Sequence, residues 1–400
     1  MTAFRTTRRS LLLGLGASAA LAPLWREEAF AYAPTDRRFV LIILRGGMDG
    51  LGAIPPYGDP NYAALRGTLG WGREELTGLE LDPLFALHPS LTPLKRLYAQ
   101  KHLLAIHAAA TEYRSRSHFD AQGTLEAGAL AGRRGNSGWV YRALKSKFGD
   151  VKLGLAVGAY APLAVAGQPP VASYAPSNLR RADASFLAVV SDLWQADPVL
   201  GPAMATGLDE KEKAEEALAR GEVKKGASAD IFPVLADSAG RLLAQDTGPR
   251  IAVLDMSGFD THRSQGLTTG PLARSLTRLA AGIEALERGL GKAWSQTVVV
   301  AVSEFGRTVR PNGTLGTDHG VGGATLLAGG AVAGGRVISD WPGLAERSLF
   351  EGRDLRPTTD LRAVFKGILT DHLQVSRKSL DEDVFPGSSD VKPMSGLIRA

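Results

Sequence analysis

Short apolar runs alternate with longer amphipathic stretches along most of this chain. The run Phe39-Val40-Leu41-Ile42-Ile43-Leu44 lies between Arg38 and Arg45-Gly46-Gly47. Continuous burial-prone, β-branched residues of this length suit a strand covered on both faces, as in a parallel α/β sheet. Similar runs recur at 102–108, 153–157, 251–254, 297–302 and 324–328. Over 272–290, Leu272, Leu276, Leu279, Ile283, Leu286 and Leu290 stand three or four apart, which gives one apolar face of a long helix. Strand, helix and strand over 251–302 therefore predict a right-handed crossover unit. The stretch 120–245 reads as a mostly helical insertion or cap. Within it Asp209-Glu210-Lys211-Glu212-Lys213-Ala214-Glu215-Glu216 predicts a solvated helix face.

The first 33 residues follow a different pattern. Thr7-Arg8-Arg9-Ser10-Leu11-Leu12-Leu13 places an arginine pair before an apolar segment that ends at Ala22. That order is a twin-arginine export signal, and the apolar segment is far short of the ~20 residues a membrane span needs. Residues 1–33 thus predict an export peptide handled by the twin-arginine translocase, and 34–400 a single α/β domain. The expected location is the periplasm or the exterior, with a membrane tether if the signal stays uncut. No later segment is long and apolar enough to predict a transmembrane span.

Charge changes the picture little. Of the formal net charge of +5, residues 1–33 supply two through four arginines against two glutamates. The remainder has no dense basic run and aromatics are 7% of the chain, so nothing predicts nucleic-acid binding. Cysteine is absent, which excludes disulfides, Cys-ligated zinc, iron–sulfur clusters and cysteine nucleophiles. Any metal must use His, Asp, Glu or softer oxygen donors.

Those residues gather at predicted strand ends. Asp49 follows the first strand, Asp260 and His262 the 251–254 strand, and Glu304 the 297–302 strand. Asp318 and His319 precede the 324–328 strand in a Gly-rich loop. Carboxyl ends of strands form the ligand edge of open α/β sheets. Asp260 and His262, two apart, face the same way in extended backbone. Carboxylate with imidazole suits zinc, manganese or iron, and carboxylates alone suit magnesium, manganese or calcium. Ser117 reads either as an N-cap with Asp120 in capping-box spacing, or, alternatively with Ser115, as a hydroxyl facing an anion beside Arg114 and Arg116. His118 reads as a metal ligand or a general acid/base. His88, His102, His107 and His372 sit in apolar or helical surroundings and read as structural. P-loop and Gly-x-Ser-x-Gly motifs are absent from the sequence.

Together, the twin-arginine start, 44–50 (Leu-Arg-Gly-Gly-Met-Asp-Gly), 116–122, Asp260-Thr261-His262, 303–308 and Thr317-Asp318-His319-Gly320 resemble the bacterial family called domain of unknown function 1501. That family is similar to the alkaline phosphatase and sulfatase superfamily. The resemblance implies an alkaline-phosphatase-like fold: a mixed, mostly parallel sheet between helices, with a two-metal site at the strand ends. It implies metal ligation by Asp49, Asp260, His262, Glu304, Asp318 and His319, and a nucleophile at Ser117 with His118 beside it. Arg45, Arg116 and Arg307 would bind the anion. Two features depart from the superfamily pattern. Phe305 stands where an imidazole is expected, and Ser117-His118-Phe119 lacks the Pro and Arg that formylglycine sulfatases need. The expectation is an exported hydrolase that uses a divalent metal on a small anionic ester or a cell-surface substrate. The alternative is a metal-stabilised scaffold or surface-binding protein without turnover.

Overall fold

A computed structural model describes residues 35–129, 136–149, 152–175, 184–198, 201–202, 204–205 and 231–399. The export segment 1–33 and the charged run 209–216 lie outside the described residues. The sheet contains β1 (Arg38–Arg45), β2 (Leu103–Ala110), β3 (Gly154–Val157), β4 (Ala172–Tyr174), β5 (Ile251–Ser257), β6 (Thr297–Val302), β7 (Gly323–Ala328), β8 (Arg336–Ile338) and β9 (Thr359–Asp360). Its order is β4-β3-β5-β1-β6-β7-β2-β8, with β9 also paired to β2. Both pairings of β7 within this order, to β6 and to β2, are antiparallel, and every other pairing is parallel. The sheet is mostly parallel, as the apolar runs predict, and mixed, as the resemblance implies.

The two-residue alternation of β1 explains its place in the centre. Val40, Ile42 and Leu44 enter one apolar cluster, and Phe39, Leu41 and Ile43 enter another on the opposite face. The first cluster takes in α4 (Ile231–Leu243) and the long α5 (Pro271–Leu290). The second takes in α2 (Trp139–Phe148) and α6 (Leu361–Asp371), where Trp139 stacks on Phe365 at 4.7 Å. Helices therefore cover both faces, and a strand exposed to neither must be apolar throughout.

Within the stretch 120–245, expected to be mostly helical, the apolar run at 153–157 forms β3 as expected, and the unexpected β4 beside it extends the sheet further beyond β5. β4 is only three residues long, so helical patterns around it dominate the local sequence. Among the described residues no helix is long and apolar enough to cross a membrane.

Strand direction sets the position of the site. β1, β5 and β6 run parallel, so the segments after them leave on one edge. β7 runs the other way, so the residues before it arrive on that same edge. The loop that carries Asp318 and His319 thereby reaches the exits of three parallel strands.

Candidate functional site

The chain passes tightly through this edge. Gly46 has φ +115°, and a Cβ there would lie 2.4 Å from the Asp260 backbone nitrogen. Gly47 has φ +69°, and a Cβ there would lie 2.5 Å from the Phe305 ring. Only glycine tolerates both the backbone and the crowding, so the loop after β1 can press against the loops after β5 and β6.

Three imidazoles converge on Asp260. Its Oδ1 is 3.1 Å from His262 Nε2 and 3.5 Å from the Nε2 atoms of His118 and His319. His262 and His319 bring their Nε2 atoms within 2.8 Å of each other. His118 opens α1 (His118–Ala127), and its ring centroid lies 4.2 Å from that of His319. Phe305, almost fully buried, packs against both rings at 4.8 and 5.1 Å and forms an apolar floor.

The other nitrogen of each ring is already committed. His118 Nδ1 meets the buried Glu304 carboxylate at 2.7 Å, His262 Nδ1 meets Asp318 Oδ1 at 3.1 Å, and His319 Nδ1 meets the backbone oxygen of Arg116 at 2.9 Å. All three partners are acceptors, so in the neutral ring each Nδ1 carries the proton and each Nε2 presents a lone pair. Arg116 reaches its position with φ +60°. His118 Nε2 is buried without a hydrogen-bond partner.

The electrostatics follow from these contacts. The hydrogen bond to Glu304 raises the His118 pKa, with burial opposing and the Glu304 and Asp260 charges assisting. Burial lowers that of His319, helped by the neighbouring His118, Arg307 and His262. Burial alone would raise Asp260 and Glu304, yet both carboxyl groups lie below their ordinary values. Arg307 reverses the effect at Asp260, and hydrogen bonds from His118, Gln122 and Gly46 reverse it at Glu304.

The remaining expected site residues occupy other positions. Glu304 sits behind His118, with Oε1 also accepting from Gly46 N at 2.9 Å and Gln122 Nε2 at 3.0 Å. Asp318 likewise sits behind His262 and is held by Asn312 Nδ2 at 2.9 Å. Asp49 is fully buried and ion-paired to Arg66, and its Oδ2 also takes Gln265 Nε2 at 2.6 Å. Arg45 pairs with Glu126 at 2.8 Å and Asp255 at 2.9 Å, so two carboxylates already neutralise it. Arg116 pairs with Asp354 at 2.7 Å and Glu351 at 2.6 Å. Ser117 stands at the N-cap of α1, but its hydroxyl makes no cap bond, and Asp120 instead accepts from the Tyr113 hydroxyl.

Arg307 differs from the other arginines. Its side chain is buried, Nη1 donates to Asp260 Oδ1 at 2.9 Å, and Nη2 has no partner. Nε donates to Thr317 Oγ1 at 3.2 Å, and Thr317 and Thr261 both donate to Gln265 Oε1 at 2.7 Å. Gln265 closes the chain to Asp49. Sequence reasoning missed Gln265, Arg66 and Asn312. Gln265 lies three residues past His262, and that proximity is its one local signal, whereas nothing local marks Arg66.

A family model described as "Protein of unknown function (DUF1501)" matches residues 178–384. No curated protein sequence matches the chain. Among solved structures, Ps i-CgsB in complex with k-i-k-neocarrahexaose is similar at 10% identity, covering 90% of this chain and 77% of that one, with a TM-score of 0.40. Phosphonate monoester hydrolase of Agrobacterium radiobacter is similar at 10% identity over 76% of this chain and 70% of that one, TM-score 0.33. The C-terminal periplasmic domain of EcEptC from Escherichia coli, in complex with Zn, gives 11% identity, 75% coverage of each chain and a TM-score of 0.33. Similarities this weak do not bear on the chemistry of the site.

Proposed function

The chain belongs to the DUF1501 family of proteins of unknown function, and we propose that it is an exported, metal-dependent hydrolase of a phosphate or related anionic ester. The orientation of three imidazoles carries this reading. With each Nδ1 proton held by an acceptor, three Nε2 lone pairs surround one Asp260 oxygen, and donor atoms of His118, Asp260 and His319 all lie within 4.8 Å of one another. Two lone pairs 2.8 Å apart repel unless a proton or a cation sits between them. Bonds of 2.0–2.1 Å to four-coordinate zinc put neighbouring ligands about 3.3 Å apart, within the 2.8–3.5 Å range of the four contacts here. Outer acceptors on each ring are also the usual accompaniment of metal-ligating histidine.

His118, Asp260 and His319 would hold one ion, with His262 beside it against Asp260 and His319, and a set rich in imidazole suits zinc, manganese or iron better than magnesium or calcium. A bound divalent ion would supply Lewis-acid charge to the ester oxygens and the incoming water. Glu304, Asp318 and the Arg116 carbonyl orient the rings. Arg307 holds Asp260 through Nη1, and its Nη2, buried and without a partner, would donate to a non-bridging ester oxygen once the guanidinium shifts toward the substrate. The Ser117 hydroxyl has no hydrogen-bonded base among the described residues, so the reading gives it no nucleophilic role.

A scaffold without turnover is the second reading, and one observation favours it. Arg66 already neutralises Asp49, so that carboxylate is not free for a second ion. Metal analysis of protein purified without chelators, together with a panel of phosphate mono- and diesters, separates the two. We expect about one ion per chain, lost in Asp260→Ala, and ester hydrolysis that Ser117→Ala leaves within twofold. Less than a stoichiometric trace of metal would overturn both readings. Bound metal that raises the melting temperature, with no ester cleaved, would select the scaffold. Export is tested by replacing Arg8 and Arg9 with Lys, which should retain the protein in the cytoplasm.

A further inference from the structure

A small cleft opens beside the metal-ligand cluster, between the 308–318 loop and the 350–354 turn. Its volume is about 220 Å³, and its walls include Thr308, Arg310, Asn312, Asp318 and Arg353. Two of these residues tie it to the centre, because Asp318 holds His262 and Asn312 holds both Asp318 and the His262 backbone oxygen. The loop is rigid at this point. Asn312 Oδ1 accepts from Thr314 N and Gly316 N at 3.0 Å, and Thr308 N donates to Asp318 O at 2.9 Å.

The charge lining the cleft is unevenly satisfied. The Asp318 carboxylate is engaged by Asn312 and His262. Arg353 is partly engaged: Nε donates to Asp354 at 2.9 Å and Nη2 to the His319 carbonyl, which leaves Nη1 without a hydrogen bond among the described residues. The Arg310 guanidinium makes no hydrogen bond or ion pair among the described residues, and it is exposed to the cleft. Two guanidiniums face one occupied carboxylate. Pockets for whole small ligands usually measure about 300–1,000 Å³. This cleft is too small for that and large enough for one substituent.

We propose that the cleft is a subsite for a second oxyanion (carboxylate, sulfate or phosphate) on the molecule whose ester reaches the metal centre. Arg310 is its main contact and Arg353 Nη1 its second. Guanidinium donors suit oxyanions because their planar fork matches two oxygens at once. The inference rests on the hydrolase reading for the rest of the substrate. That reading requires one anionic group at the centre, and the subsite adds a requirement for another.

The test uses the full chain treated with chelator, so that metal does not contribute, and inorganic phosphate as the probe in calorimetric titration. Arg310→Gln should weaken phosphate binding at least fivefold, and Arg310→Gln with Arg353→Gln at least tenfold. Arg288→Gln, which removes an exposed charge at the far end of α5, should change it less than twofold. Absence of phosphate binding up to about 50 mM, or equal weakening in Arg288→Gln, overturns the subsite. Circular dichroism of each variant identifies loss through misfolding. If a variant misfolds, protection of Arg310 from phenylglyoxal by phosphate in the unmodified protein decides the matter, and lack of protection overturns the proposal. Arg310-dependent phosphate binding by a protein that carries no metal when purified without chelator would leave the subsite standing and remove the hydrolase reading.

Discussion

Acidification should destabilise this protein well above the range in which its carboxylates protonate, because of three histidines remote from the imidazole cluster at Asp260. His88, His107 and His372 are buried, and burial lowers each to a pKa of about 4 despite hydrogen bonds that work the other way. Each gives a ring N–H to a backbone oxygen, of Leu267, Gly50 and Ile54, and Arg38 respectively. In His88 and His107 the second nitrogen accepts a backbone N–H, which a protonated ring cannot do. Unfolding releases them to the ordinary value of 6.5, so between pH 6.5 and about 4 the unfolded chain binds more protons. Stability contributed by such a depressed base is therefore complete above 6.5 and lost as pH falls. Linkage gives a little under ~2 kcal/mol per histidine between pH 7 and 5, or roughly 5–6 kcal/mol for three. His118 has the opposite sign, since its raised pKa adds stability on the acid side and offsets part of the loss. Urea titrations with chelator at pH 7, 6 and 5 measure the effect. His372→Gln should shrink the pH 7-to-5 loss by about 2 kcal/mol, whatever it costs at pH 7. A urea midpoint that stays flat over this range, or an unchanged slope in His372→Gln, refutes the reasoning.

Three other outcomes follow from the site and its supports. Glu304→Gln keeps a hydrogen-bonding side chain behind His118 but removes its charge, and competition with a chelating dye should show metal affinity weakened about 10–100-fold. Arg66→Met leaves Asp49 buried without its cation and should cost about 3–5 kcal/mol in urea unfolding. Adding Asp49→Leu should restore much of that, and failure to do so would assign Asp49 a role outside the pair. Gly47→Ala forces a side chain into the Phe305 ring at a positive φ, so it should lower the melting temperature and also loosen metal binding.

The sheet was legible because its central strands are buried on both faces and therefore apolar without interruption. β4, β8 and β9 were not, since two or three residues at a sheet edge leave no periodic signal. The ligand edge was legible for the same reason as the strands, since polar residues directly after an apolar run must leave the sheet together. His319 reaches that edge through the reversed direction of β7, which depends on pairing and not on local pattern. Roles within the cluster were less legible. Glu304 and Asp318 have the chemistry of ligands, but each stands one hydrogen bond behind an imidazole. No spacing separates a carboxylate that binds a metal from one that orients a histidine.

The arginines carry the deepest lesson about this site. Arg45, Arg66, Arg116 and Arg307 all lie near the functional edge, and sequence alone offers three of them equally as anion clamps. A guanidinium already matched to carboxylates has its charge neutralised and its fork occupied, so it attracts a substrate anion weakly. Arg45 has two such partners, Arg116 two and Arg66 one, all within hydrogen-bond or ion-pair distance. Arg307 shares only Nη1 with a carboxylate, and that carboxylate is also the one to which three imidazoles point. A cation bound by Asp260 would compete with Arg307 for the same oxygen and lessen the hold on its guanidinium. Metal binding and anion binding should then be linked, with each favouring the other, and the coupling would pass through a single carboxylate oxygen.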